Sequence, residues 1–314
     1  MDPLELAVLR PGARDVSALG APMAGQLARL AAVLAGTAIA GRRIGLVTGV
    51  HIAWAPRPAA ETDGPVGAAV LARALTVLGG EPVVLTDAWC GPVVDACLGA
   101  AGCGPAVVLP RNATEDEVRT TVAALDLGAL VAVERLGPNR HGRVMTMRAV
   151  DISASTAPLH AAFDLPGLPT GAVGDGGNEI GMGTVPLDVV ATAVPHGSEI
   201  ACRTPVDHLV VAGTSNWGCY ALVAALARAV PDRGEALRAL LHPALDAALL
   251  TAAGEAGGID GVTGDPGLSV DGVPVADYAD LFADLARLGS GPWPTPPHPT
   301  PRRSPSGSGP AACG

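Results

Sequence analysis

The chain has 314 residues and a formal net charge of −10, from 30 acidic and 20 basic residues, a balance that excludes the basic footprint a nucleic-acid partner needs. Every basic residue is arginine. With no lysine in the sequence, a Walker-type phosphate loop in its usual form is excluded, as is any Schiff base on a lysine of this chain, including ordinary pyridoxal-phosphate catalysis.

Aromatic residues are only 3% of the chain against 49% hydrophobic, so the core must be built from Ala, Val and Leu. No apolar run reaches the roughly 18 residues of a membrane helix, and the N-terminus lacks the basic segment and apolar block of a secretory signal. A cytoplasmic protein with no membrane partner is expected, and nothing in the pattern speaks to oligomeric state. Cys90, Cys97, Cys103, Cys202, Cys219 and Cys313 show neither a C-x-x-C pair nor zinc-ligand spacing, and read as small buried hydrophobes plus a tail thiol. The histidines are equally dispersed, so histidine is not the first choice for a metal ligand.

In chain order, residues 21–40 read as an Ala/Leu-rich helix and 44–48 as a buried strand, followed by a Pro-containing loop that opens at Thr48-Gly49. Asp63 or Thr62 can cap the next helix, Pro65 suits its first turn, and Gly79-Gly80 stops it. Strands are predicted at 82–86, 106–109 and 129–134, with a helix between the last two that opens on the Thr114/Glu117 capping box and runs to Leu125. Ala172-Val173 belong to another strand. Residues 206–213 form a further one, whose loop Ser215-Asn216-Trp217-Gly218 leads into a helix over 220–230.

Strands alternating with helices predict an α/β fold: a mostly parallel, doubly wound, Rossmann-like sheet with helices on both faces. Its strand ends near Thr48, Glu134, Val173 and Ala212 are then expected to converge on one edge. Residues 1–288 are expected to form one domain, and the Pro/Ser/Gly-rich segment 289–314 a disordered tail.

The densest chemical signal is Gly174-Asp175-Gly176-Gly177-Asn178-Glu179-Ile180-Gly181-Met182-Gly183, two carboxylates and an amide framed by glycines at a strand end, where open α/β sheets hold ligands. This run resembles the signature of the D-glutamate cyclase C-terminal domain family. Companion segments agree in the same order: Glu61-Thr62-Asp63-Gly64-Pro65, Met147-Arg148 with Asp151-Ile152, Ser215-Asn216-Trp217-Gly218, and Asp260-Gly261-Val262-Thr263-Gly264. The resemblance departs at Val144, Met145, Thr146 and Ala149, which replace four residues of a Tyr-Tyr-Asn-Met-Arg-Gly block.

The resemblance implies a carbon–oxygen lyase that closes D-glutamate into 5-oxo-D-proline and water, with a small acidic amino acid as substrate. An alternative is a non-catalytic domain that binds a small dicarboxylate. Lactam formation needs a base for the ammonium and an acid or cation to assist oxygen departure. Asp175 and Glu179 are the acid/base candidates. Asn178 could donate to an oxyanion, or join those two as hard oxygen ligands for Mn²⁺ or Mg²⁺.

Arg148 is the candidate grip for the α-carboxylate, with Asp151 as a competing ion-pair partner. Thr48, Gly49, Glu61, Thr62, Asp63, Gly64, Gly176, Gly177, Ser215, Asn216 and Trp217 complete the expected binding set. Asp63 is also readable as a helix cap and Trp217 as core. Asp260 and Asp271 read as turn punctuation.

Overall fold

The computed structural model describes residues 1–293, Ala13 and Trp54 excepted. Its centre is a six-stranded sheet: β1 (Arg43–Thr48), β2 (Glu81–Asp87), β3 (Val107–Leu109), β4 (Leu127–Val133), β5 (Thr170–Gly174) and β6 (His208–Val211). The spatial order is β3-β2-β1-β4-β5-β6, and every pairing is parallel. This is the doubly wound architecture expected from the alternating pattern. The strand order reverses between β1 and β4, which lie side by side with Thr48 opposite Val133. Such a switch point opens a crevice beyond the strand ends, because the connections leave in opposite directions.

Side chains alternate across the sheet as strand geometry requires. Ile44 and Leu46 of β1, with Val131 and Val133 of β4, face one core, packed by the Gln26–Ile39, Pro65–Val77 and Ser215–Ala229 helices. Val47, Leu130 and Ala132 face the other, with Val118 and Val122 of the Glu115–Ala124 helix. Trp217, Tyr278 and Phe282 are among the few large aromatics buried in the first core, and the rest is aliphatic, as composition required.

The Thr114/Glu117 capping box forms as predicted, each side chain bonding the other's backbone N–H. Two differences bear on the site. The last long central helix begins at Ser215, not near Tyr220, so Ser215-Asn216-Trp217-Gly218 form its first turn rather than a loop. Helices Gly91–Ala100, Pro243–Glu255 and Val275–Leu288 also enter the first core, with no counterpart in the elements read from sequence. From Pro294 on, the expected tail lies outside the described residues. No single helix among the described residues is long and apolar enough to cross a membrane.

Candidate active site

The crevice at the switch point is held open by a buried ion pair. Arg135, immediately past β4, donates from Nη2 to Asp87 Oδ2 (2.6 Å) at the end of β2, from Nη1 to the Gly49 carbonyl (2.8 Å), and from Nη2 to the Ala157 carbonyl (2.7 Å). Burial pushes Asp87 up, but Arg135 and the Ala157 N–H more than offset it and hold the carboxyl below its usual range. One guanidinium thus ties together the ends of three chain segments. Between Val133 and Arg135, Glu134 takes φ 40°, an unusual conformation for a side-chain-bearing residue, and turns its carboxylate to accept from Ser215 Oγ at 2.6 Å.

The glycine loop leaving β5 folds around Glu179. Its Oε1 accepts the N–H groups of Gly176 (2.6 Å) and Asp175 (3.2 Å), and its Oε2 that of Gly177 (2.8 Å). A Cβ on Gly176 would stand 2.8 Å from Glu179 Oε1 and displace that carboxylate, and Gly177 has φ +98°, a conformation that favours glycine. Asn178 Nδ2 donates to the Met145 carbonyl at 2.7 Å. Asp175 is left facing the cavity: Oδ1 accepts from Arg14 Nη1 at 2.8 Å, and Oδ2 is buried with no hydrogen-bond partner among the described residues.

The opposite wall comes from segments distant in sequence. Glu61 and Thr62 are pinned by backbone bonds to Val50 and Ile259 (3.0 and 2.9 Å). The Asp63 carboxylate accepts the N–H groups of Ser215 and Asn216, both at 2.8 Å, at the start of the Ser215–Ala229 helix. Asp260 organises its turn by accepting from Val262, Thr263 and Gly272 N–H and from Ser269 Oγ. That turn presents Asp271 to the cavity.

The cavity, open on one side, is about 120 Å³, and its polar walls are Arg14, Glu61, Glu134, Asp175, Glu179 and Asp271, with Asn178 and Thr146. Arg148 lies at its rim, exposed to solvent. Carboxylate oxygens of Asp63, Asp175 and Asp271 come within 4.8 Å of one another, and so do those of Glu134, Asp175 and Glu179.

Burial, then repulsion from neighbouring acids, raises the proton affinity of Glu61, Asp63, Glu134, Asp175 and Asp271. Burial and the neighbouring Asp271 push Asp63 up to about 8. Burial and the nearby acids raise Glu61 and Glu134 well above the ordinary range. Asp175 and Asp271 also rise through burial, with Arg14 opposing the shift in both. Carboxyls that keep protons near neutrality can act as acids, and their unprotonated neighbours as bases.

Of the residues read from sequence, the structure brings Glu61, Arg148, Asp175, Asn178 and Glu179 to one cavity, with Asp63, Gly176 and Gly177 directly behind them. Others lie elsewhere. Asn216 Oδ1 accepts the N–H groups of Gly64 and Gly67 (3.0 and 2.7 Å), and Trp217 packs on Tyr278 with ring centroids 5.3 Å apart. Asp151 is on the outside, accepting from Ser153. Thr62 Oγ1 reaches the Ser269 carbonyl, Thr48 sits beneath Gly64, and Gly49 turns the chain at φ +104°.

Three charged cavity residues, Arg14, Glu134 and Asp271, lie outside the expected set. Glu134 had a visible signal, a charge closing the all-apolar run 127–133. Asp271 had the look of an ordinary Asp-Gly turn. Arg14 sits in a short polar segment with no local pattern at all.

The family model for "D-glutamate cyclase-like, C-terminal" matches residues 4–286. The chain is also 33% identical over 201 residues to the Homo sapiens "D-glutamate cyclase, mitochondrial", an alignment covering 59% of this chain and 32% of that protein. It therefore spans about a third of that relative's length. Among solved structures, RecJ in complex with Mn²⁺ from Thermus thermophilus aligns over 87% of this chain and 39% of its own, at 13% identity and a TM-score of 0.34, too distant to bear on fold or chemistry. The family match runs through every strand of the central sheet and every wall of the cavity, and the chain belongs to the D-glutamate cyclase-like C-terminal family.

Proposed function

We propose that this protein closes D-glutamate into 5-oxo-D-proline and water. The observation that carries the reading is Asp175: one oxygen neutralised by Arg14, the other buried against neighbouring carboxyls, at the wall of a small polar cavity. Ring closure forms a bond from the α-nitrogen to the side-chain carboxyl carbon and breaks one of that carbon's bonds to oxygen. The ammonium gives up two protons and the departing oxygen takes up two, so the site must move protons without net change. Asp175 and its neighbours take protons from the ammonium and return them to the leaving oxygen, while Arg148 at the rim grips the α-carboxylate. Holding both ends of a curled substrate removes much of the entropic barrier.

The same carboxylates suit a hard divalent cation such as Mn²⁺ or Mg²⁺, since among the described residues no side-chain donor reaches buried Asp175 Oδ2 and the surrounding ligand atoms are all oxygen. Asp63, Asp175 and Asp271, with Glu134 and Glu179 on the other side of Asp175, are the residues that would hold it. Bound there, it would supply positive charge to polarise the substrate carboxyl.

The test is to incubate the protein with D- or L-glutamate, with and without chelator or added Mn²⁺, and to follow 5-oxoproline by chiral chromatography. Accumulation of the D-product supports the reading. Tight D-glutamate binding with no product under any of these conditions favours the alternative, a dicarboxylate-binding domain, to which the replaced Val144–Ala149 block beside the cavity is the pointer.

A further inference from the structure

Arg14 reaches the cavity on a strap that leaves the Pro3–Val8 helix and crosses beyond the end of β6. The crossing is tight. Gly213 N–H donates to the Val8 carbonyl (2.8 Å), a Cβ on Gly12 would lie 2.1 Å from the Gly213 carbonyl oxygen, and a Cβ on Gly213 would lie 2.2 Å from that of Arg10. Neither glycine can carry a side chain without moving the strap. Arg10 ties the near end to Asp280 at 3.0 Å, and Asp15 fixes the far end by accepting the Ser17 N–H at 2.9 Å. This scaffold delivers one guanidinium to the inner wall of the site.

Among the described residues, that guanidinium makes one hydrogen bond, to Asp175. The rest of its planar fork remains for a ligand, and its side chain is 27% exposed, toward a cavity it helps to line. Arg148 lines the same cavity at the rim. A diacid entering between them meets one cation inside and one outside. The inner cation stands beside Asp175, the outer one in solvent.

We infer that Arg14 anchors the side-chain carboxyl of the substrate and so makes the site selective for a dicarboxylic amino acid. The inference rests on the proposed glutamate chemistry and assigns the two ends of that substrate. The carboxyl that must lose an oxygen belongs at the inner end, where Asp175 is within reach to protonate the leaving group. Arg14 withdraws charge from that carboxyl and cannot itself give up a proton, which keeps proton transfer with the acids.

The test measures binding rather than turnover, with the full chain and four probes: D-glutamate, the unreactive diacid glutarate, D-glutamine, and D-norvaline, which lacks a distal polar group. Calorimetry on Arg14→Gln is expected to show at least tenfold weaker binding of D-glutamate and glutarate, with D-glutamine and D-norvaline within twofold of wild type. Arg14→Lys, which keeps a cation beside Asp175 but loses the fork, should fall between. Equal losses for all four probes in Arg14→Gln would mean the strap is merely structural and would overturn the inference, as would unchanged diacid binding. Wild-type protein that binds neither diacid would remove the glutamate reading together with this one, whereas wild type that binds D-glutamate, beside an Arg14→Gln that binds it equally well, removes only the role of Arg14.

Discussion

Asp63 and Asn216 cap each other's helices. The Asp63 carboxylate takes the first N–H groups of the Ser215–Ala229 helix, and the Asn216 side chain, inside that helix, takes the N–H groups of Gly64 and Gly67 at the start of Pro65–Val77. Asn216 also donates to the Thr62 carbonyl at 3.3 Å. The exchange locks two core helices together and fixes the Asp63 carboxyl behind the cavity wall. Asn216→Ala strands buried donors, so it should lower stability by about 2–4 kcal/mol in urea denaturation. Any lost activity should return at temperatures where the variant is folded. A stable but inactive variant would instead place Asn216 on the substrate.

Glu179 and Asp175 share a loop and should fail in different ways. Glu179→Gln puts an amide N–H₂ against backbone N–H groups that now meet a carboxylate, so it should cost about 1–3 kcal/mol and disturb the loop along with turnover. Asp175→Asn removes one charge from a repulsive cluster. Its melting temperature should hold or rise while turnover drops about 10²- to 10⁴-fold. Parallel melting curves and initial rates separate the two, and a strongly destabilised Asp175→Asn would contradict the charge argument.

Only the local half of this contrast is written in the sequence. Local chemistry was legible: Ile44–Thr48 as a buried strand, the Thr114/Glu117 cap and the glycine run all follow from neighbours a few residues apart. The Ser215 turn was not, because its helix is extended by a carboxylate from Asp63, about 150 residues away in sequence. Arg14 and Asp271 meet Asp175 only after the strap crosses Gly213 and the Asp260 turn folds back. No spacing rule encodes a meeting of three such segments.

Stability should fall as pH rises. In the folded protein Asp63 keeps its proton up to about 8, against an ordinary value of 3.8, and burial with mutual repulsion moves Glu61, Glu134, Asp175 and Asp271 the same way. Between those limits the folded state binds protons that the unfolded chain has released. Unfolding therefore releases protons, and raising the pH favours it. The melting temperature should decline as the pH rises from about 4 to about 8, the window that Asp63 sets. Asp271→Asn removes the charge that, after burial, does most to raise both Glu61 and Asp63, and should flatten the decline. A melting temperature that climbs over this range would refute the assignment.

The Arg135–Asp87 pair should matter to activity without touching substrate. Both side chains are about 1% exposed, and Arg135 holds the Gly49 and Ala157 carbonyls as well as Asp87. Removing one partner leaves a buried charge uncompensated, so Asp87→Ala should cost about 3–5 kcal/mol, more than any single surface ion pair here could. Arg135 also follows Glu134 directly, and releasing it frees the strained φ that aims Glu134 at Ser215. Where enough folded protein survives, kcat should fall more than KM rises, because a proton-handling carboxyl moves while Arg14 and Arg148 stay in place. A variant that loses affinity but keeps kcat would place the effect on substrate binding instead.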